Sequence, residues 1–420
     1  MKQETYVETM PQVSTRLRTL LAAFCLALPV AARAQSTDTA ASAPAASPLI
    51  AIVAAAQGYL DTLHRDQLMK AWLPFQSTAI PTVAQYTRSG GPKGGGPGGA
   101  IGGQPDRDAN AQGVPSQNGG KGPGGQGGGM GNFVGERYGQ AVWSNYPASD
   151  VLRPGLPLGE MSGVQRAAAM DLLRAALSDK GFAKVQAIMG ADQALHEQGT
   201  NYASGVDTYT LGIFGTPSQT DPWMIQFGAH HLGVNLVIRG GTGTITPTMT
   251  GAQPANYSDA DGKSHRALAA ENDKAFAMLE SLSDDQKIKA VLDYEVDDLV
   301  YGPGGTGGPL LPEGIKGSEL AEVQKDLLLD LIGEWAGIVN DSWAGPRMAE
   351  IEDGVDETWF AWSGPLTHEP DRNGSSYYRI QGPHLIIEFA PQGVGGDKTM
   401  HVHTVYRDPT NDYGLGGGKQ

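Results

Sequence analysis

Two histidines separated by one residue, His401 and His403, stand in the run Thr399-Met400-His401-Val402-His403-Thr404-Val405-Tyr406-Arg407-Asp408-Pro409. Side chains alternate along a strand, so His401, His403, Val405 and Arg407 share one face, while Met400, Val402 and Tyr406 take the other. Two imidazoles then point the same way, within reach of one ion. In the preceding apolar segment the same rule puts His384, Ile386 and Glu388 on one face. If these strands pair through the Ala390 to Lys398 loop, Glu388 or His384 lies opposite the histidines. Two imidazoles and a carboxylate with open positions are a common catalytic arrangement for zinc or non-haem iron. The neutral ligands hold the ion, and vacant positions let it acidify water or take substrate. The competing account is a pair of strand histidines hydrogen-bonded in a polar groove.

Three further groups carry candidate chemistry. In Trp223-Met224-Ile225-Gln226-Phe227-Gly228-Ala229-His230-His231-Leu232 the adjacent histidines face opposite sides of a strand. His230 shares its face with Leu232, Val234 and Leu236 and suits a satisfied core histidine, so His231 is the candidate ligand or base. In Arg407-Asp408-Pro409-Thr410-Asn411-Asp412-Tyr413-Gly414, Arg407 offers a fork for a carboxylate or phosphate. Asp408 and Asp412 are placed to orient a ligand or to close an Asx-type turn. The aromatics Trp359, Phe360, Trp362, Tyr377 and Tyr378 suit a core better than a cleft, and the carboxylate run Glu350 to Glu357 lacks the spacing of a calcium loop. No G-x-S-x-G or H-E-x-x-H run occurs, and Gly240-Gly241-Thr242-Gly243, between strands, suits a hairpin rather than a nucleotide loop.

The elements that must position these residues are legible as periodicities. Residues 49–88 suit a helix pair, with Ile52, Ala55, Leu60, Leu63 and Leu68 at helical spacing. Ser162-Gly163-Val164-Gln165 fits a capping box opening a helix, and a second helix covers Phe182 to Glu197. Strands are expected over Thr208 to Phe214, Trp223 to Phe227, His231 to Arg239 and Thr244 to Met249. Helical blocks follow over His265 to Leu299 and Ser318 to Val339, and three or four antiparallel strands over Glu357 to Tyr406, with a tight turn at Gln381-Gly382. The fold class is α+β, antiparallel sheet packed with helices. No internal repeat of fixed period is found. Ser89 to Gly131 is dominated by glycine and offers almost no apolar surface against its ordering entropy, so it is expected to be a disordered insertion. The main domain then spans 132–414, with a flexible tail over 415–420.

Composition bounds the function. The 420 residues carry a net charge of −15, which argues against a nucleic-acid partner. Arg16 and Arg18, the apolar run Thr19 to Leu28 and Ala32-Arg33-Ala34 have the form of a secretion signal over 1–34, followed by a flexible leader over 35–48. A secreted or periplasmic protein is therefore expected, with no membrane span, because no apolar run approaches the roughly 20 residues needed. The single cysteine, Cys25, lies within that signal, leaving no thiol for a disulfide, a nucleophile or a metal.

With these residues in view, the chain resembles the bacterial and fungal family catalogued as domain of unknown function 3500. The resemblance rests on Trp143-Ser144-Asn145-Tyr146-Pro147, Phe214-Gly215-Thr216-Pro217, the Trp223 to Leu232 segment, Gly251-Ala252-Gln253-Pro254, Trp359 to Gly364, and His401-Val402-His403 running into Arg407-Asp408-Pro409 and Asn411-Asp412-Tyr413-Gly414. Ala229 replaces the glycine usual in that family, and Ser89 to Gly131 is an addition. The resemblance implies no activity. From the residues themselves the expectation is a metal-dependent enzyme, hydrolase rather than oxidoreductase, acting on a small molecule. Its divalent zinc or iron ion would sit on His401, His403 and either Glu388 or His231, with Arg407, Asp408 and Asp412 as catalytic support. The alternative is a metal-free module binding a small anionic or sugar-like ligand.

Overall fold

Two reciprocal glutamine clamps set the frame. Ser162 and Gln165 cap α3 (Gly163–Ala176): the Gln165 Oε1 accepts the Ser162 N–H at 2.8 Å, and its amide donates to Thr62 O and to the Gln67 Oε1. Gln67 belongs to α2 (Arg65–Ala71), which follows α1 (Pro48–Asp61), and returns a bond to Glu160 O. The same set of bonds recurs later in the chain. Gln324, in α7 (Glu322–Ala336), donates to Ser281 O and Gln286 Oε1, and Gln286, in α6 (Asp284–Ala290), donates to Glu319 O. Lys70 pairs with Glu160 as Lys289 pairs with Glu319.

The structure, a computed structural model, describes residues 48–87, 132–200, 202, 204–305, 311–394 and 396–416. The expected signal, nearly all of the leader and the Gly-rich stretch 89–131 lie outside the described residues. The described residues belong to one compact unit, and the fold class is α+β, as expected. A twelve-stranded sheet contains eight principal strands: β1 (Thr210–Phe214), β2 (Trp223–Ala229), β3 (Leu232–Arg239), β4 (Thr248–Ala252), β5 (Trp359–Ser363), β6 (Tyr377–Gly382), β7 (Leu385–Pro391) and β8 (Val402–Arg407). Their spatial order is β1-β2-β3-β4-β8-β7-β6-β5. The remaining helices are α4 (Asp179–Glu197), α5 (Ala269–Ser281) and α8 (Asp341–Asp353).

That order is a palindrome of two equivalent halves, related about the antiparallel pair β4–β8. Thr250 and Thr404 face each other there, with their hydroxyl oxygens 2.6 Å apart. Corresponding pairs match in register: Gln226 opposite Asn235 in the first half, Arg379 opposite Glu388 in the second. Trp72 bridges Ile213 in parallel as Val291 bridges Trp362, and Leu156 pairs with Leu211 as Ile315 pairs with Phe360. The chain is therefore an internal duplication. Its period is not fixed, because the loops between equivalent residues differ in length.

The inward face of the sheet packs on the helices through Leu232, Val234, Ile387, Phe389, Val402 and Tyr406. The other face carries Met249, Ile386 and Val405 against Trp143 and Tyr301. Above it lies a small sheet of Thr82–Thr87, Asn132–Tyr138 and Ala141–Trp143. The expected helical block ends at Ala290 rather than Leu299, and α8 was not foreseen.

Candidate metal centre

The β2–β3 hairpin turns on His230 and His231 themselves, so they are not strand residues facing opposite sides. His231 sits in the left-handed region at φ 62°, a conformation histidine tolerates better than most side chains. The two rings consequently stack, with centroids 3.6 Å apart. Gly251, across from His403 in β4, makes room for the turn: a Cβ there would stand 3.3 Å from the His231 Cβ and 2.7 Å from Val402 O. His230 is satisfied by its own partners. Its Nδ1 lies 2.9 Å from the Asp192 carboxylate and its carbonyl accepts the Tyr209 hydroxyl.

His403, on β8, and His401, just before it, meet His231 from the second half of the chain. The Nε2 of His401 lies 2.9 Å from that of His231 and 3.1 Å from that of His403. All three ligand atoms fall within 4.8 Å of one another, and all three rings are buried. Tetrahedral zinc with imidazole ligands places neighbouring nitrogens about 3.3 Å apart, so the two spacings to His401 are close to those of a single ion, while His231 and His403 are held only within 4.8 Å of each other.

Protons decide what this cluster is. His401 Nδ1 lies 3.3 Å from Val394 O and His403 Nδ1 lies 3.2 Å from an Asp298 carboxylate oxygen. Both acceptors require an N–H at Nδ1, so in the neutral rings, the form that binds metal, both Nε2 atoms are bare. Two lone pairs then face each other at 3.1 Å. His231 can donate one proton to His401, but not to both neighbours at once. A cation at the centre relieves all three contacts together. Burial, and then the neighbouring His403, pushes the His401 imidazole down to about 2; burial holds His231 well below its ordinary value. Both are therefore neutral at neutral pH, the state that binds metal.

Asp298 completes the His403 side. Burial works against its charge, but bonds from His403, the Leu299 N–H and the Gln392 amide outweigh it and hold the carboxyl below the usual range. The loop carrying Asp298 is pinned by Glu388, whose oxygens accept the N–H groups of Val300 at 2.9 Å and Tyr301 at 2.7 Å and the Tyr377 hydroxyl at 2.6 Å. Glu388 thus lies on the expected face but does not reach the imidazoles. Ala390, not Glu388, pairs with His403. Arg153 binds Ser144 O and Ala229 O, tying the turn to the segment that brings Asn145 to 3.5 Å from His403 Nδ1. Asp298 did not stand out in the sequence, and Asn145 did so only as part of the Trp143 to Pro147 run that carries the family resemblance.

The other expected site residues lie away from the imidazoles. Arg407 is four residues beyond His403, about 13 Å along the strand. It forms a buried bidentate pair with Glu136 and donates to Asp412 at 2.9 Å. Asp412 also caps the Asp408 N–H, and burial pushes its carboxyl up to about 6. Asp408 accepts from Arg347, Thr410 N and the Thr410 hydroxyl. These three residues are engaged in holding the fold. His384 sits in the β6–β7 turn with Pro383, one step beyond the expected Gln381-Gly382 turn, and bonds to Thr410. The aromatics Trp362, Tyr378 and Phe389 stack in the core.

A family model described as "Protein of unknown function (DUF3500)" matches residues 135–415. The chain belongs to the DUF3500 family. The match begins after α1 and α2 and covers all eight principal strands and every residue of the imidazole cluster. No curated protein and no solved structure matches. Among the described residues of this DUF3500 protein, no helix is long and apolar enough to cross a membrane.

Proposed function

We propose that this chain binds one divalent metal ion through the Nε2 atoms of His231, His401 and His403 and uses it to hydrolyse a small molecule outside the cytoplasm. The observation that supports the reading is the pair of bare Nε2 atoms on His401 and His403, 3.1 Å apart while both Nδ1 atoms face acceptors. Three imidazoles without a carboxylate ligand suit zinc better than the two-histidine, one-carboxylate set typical of non-haem iron oxygenases. Such an ion, with its fourth position open, lowers the pKa of a bound water and polarises a substrate oxygen.

The chain's own residues supply positioning. Asp298 keeps the proton on His403 Nδ1, and Val394 O does the same for His401. Glu388 fixes the loop that carries Asp298. The location outside the cytoplasm rests on the residues 1–34, whose charge and apolar run have the form of a secretion signal.

Elemental analysis of protein purified without chelator tests the reading. One equivalent of metal is expected in the wild type and none in a His401→Ala/His403→Ala variant. A wild type without stoichiometric metal, or a double variant that keeps it, overturns the proposal and leaves the metal-free binding module standing.

A further inference from the structure

On the helix-facing side of the sheet, away from the imidazole cluster, a cavity of about 380 Å³ opens between α8 and the Thr242 to Thr246 segment. That volume is within the range of small-molecule sites. One wall is an aromatic platform. Trp343 donates its indole N–H to Gly241 O at 2.8 Å, and its ring lies so close over Gly243 that a Cβ there would come within 2.2 Å of it. Any side chain at 243 would displace the indole. The Gly240-Gly241-Thr242-Gly243 hairpin is therefore shaped to seat a ring.

The polar lining narrows the ligand class. Arg347 is the cation of the cavity, and its charge is already spent. It donates to the Tyr406 hydroxyl, Glu350, Asp408 and His384 O. Asp408 is likewise engaged by Arg347 and by Thr410. A charged ligand of either sign would have to break these pairs. Apart from the Glu350 carboxylate paired to Arg347, what remains for a ligand is neutral: the hydroxyls of Thr242 and Thr246, the Asn411 amide and the face of the indole. Thr246 is the telling one. It is only 3% exposed and its hydroxyl has no hydrogen-bond partner among the described residues, a state that costs about 1–3 kcal/mol in a folded protein unless a ligand or water completes it.

We propose that this cavity binds a neutral pyranose or its glycoside, with an apolar sugar face on Trp343 and a ring hydroxyl on Thr246. A sugar combines what the lining asks for: an apolar C–H face, several hydroxyls that both donate and accept, and no charge. The site is separate from the metal centre and does not depend on it.

Saturation-transfer NMR and calorimetry with the methyl glycosides of D-glucose, D-mannose and D-galactose and with N-acetylglucosamine test the proposal on the full chain. At least one probe is expected to bind saturably. Trp343→Ala should lose that binding by more than tenfold, and the near-isosteric Thr246→Val should weaken it about three- to tenfold without unfolding the protein. Metal content should match the wild type in both variants, so either reading can fail alone. The proposal is overturned if none of the four probes binds saturably, or if both variants bind as tightly as the wild type.

Discussion

The duplication gives the molecule two corners built on one plan, at opposite ends of the central β4–β8 pair. At one, the first half's hairpin supplies His231, and the second half's last strand supplies His401 and His403. At the other, the equivalent turn supplies His384, and the positions matching His401 and His403 are Pro247 and Met249. There the His384 ring bonds to the Thr410 hydroxyl, and the nearby end of β8 is held by the Arg407–Glu136 pair. One backbone template thus supports a cluster of bare imidazoles at one corner and a fully paired ionic lock at the other. The fold alone does not make the site; three side chains at the turn and strand do.

The largest effect expected from this contrast is on stability at the ionic corner. Arg407→Ala strands the Glu136 carboxylate, which is 0% exposed, and breaking a buried pair costs about 3–5 kcal/mol. The denaturant midpoint should fall accordingly, while metal content per folded molecule stays unchanged. If Arg407→Ala removes metal without loss of stability, the two corners do not divide the work in this way.

Acid separates the corners by sign. Below about 6.5 the unfolded chain protonates histidines that the folded chain holds neutral. Stability supported by His401 is therefore lost as pH falls, by about 2 kcal/mol between pH 6.5 and 5 for this one group, with His231 adding in the same direction. Asp412 runs the other way. Its folded value of about 6 lies above that of the unfolded chain, so its contribution is present in acid and fades as pH rises through 6. Unfolding profiles of the metal-free wild type, His401→Ala/His403→Ala and Asp412→Asn should diverge accordingly. The histidine variant should show a smaller loss of stability in acid, with the share of His231 remaining, and the Asp412 variant should show the loss more strongly. Parallel profiles would contradict the assignment.

What was legible in the sequence followed from short-range pattern. Strand alternation put His403 and Arg407 on one face, and the apolar periodicities marked most helices. Register was harder. The loop from Gln392 to Met400 shifts β7 so that Ala390 meets His403, and this moves Glu388 two residues off the site. No local signal encodes such a shift. The hairpin at His230 and His231 was hidden because it lacks the Gly, Asn or Asp that usually mark a turn. Helix α8 was missed for a similar reason: it has Pro346 inside it and fully buries only Ala344 and Ile351, with Trp343 and Met348 half-buried beside them, so its apolar stripe is thin. Asp298 lies in an irregular stretch where neither period applies, and only the Glu388 clamp gives it a place.

Asp298 offers the finest test of what distinguishes the two corners. Asparagine at 298 keeps the size and one acceptor oxygen, so the contact to His403 Nδ1 at 3.2 Å can persist without the charge. If Asp298 acts by fixing the His403 tautomer and raising the basicity of its Nε2, Asp298→Asn should weaken metal binding about 10- to 100-fold and leave the melting temperature of the metal-free protein nearly unchanged. Glu388→Gln separates this from simple loosening of the loop. An amide at 388 still accepts one backbone N–H but cannot accept two as a carboxylate does, so this variant should lower stability first and metal affinity only as the loop frays. Equal metal affinity in wild type and Asp298→Asn would mean that the imidazoles are oriented by packing alone, with the His230 stack on His231 and the Val394 carbonyl on His401 sufficient to hold them.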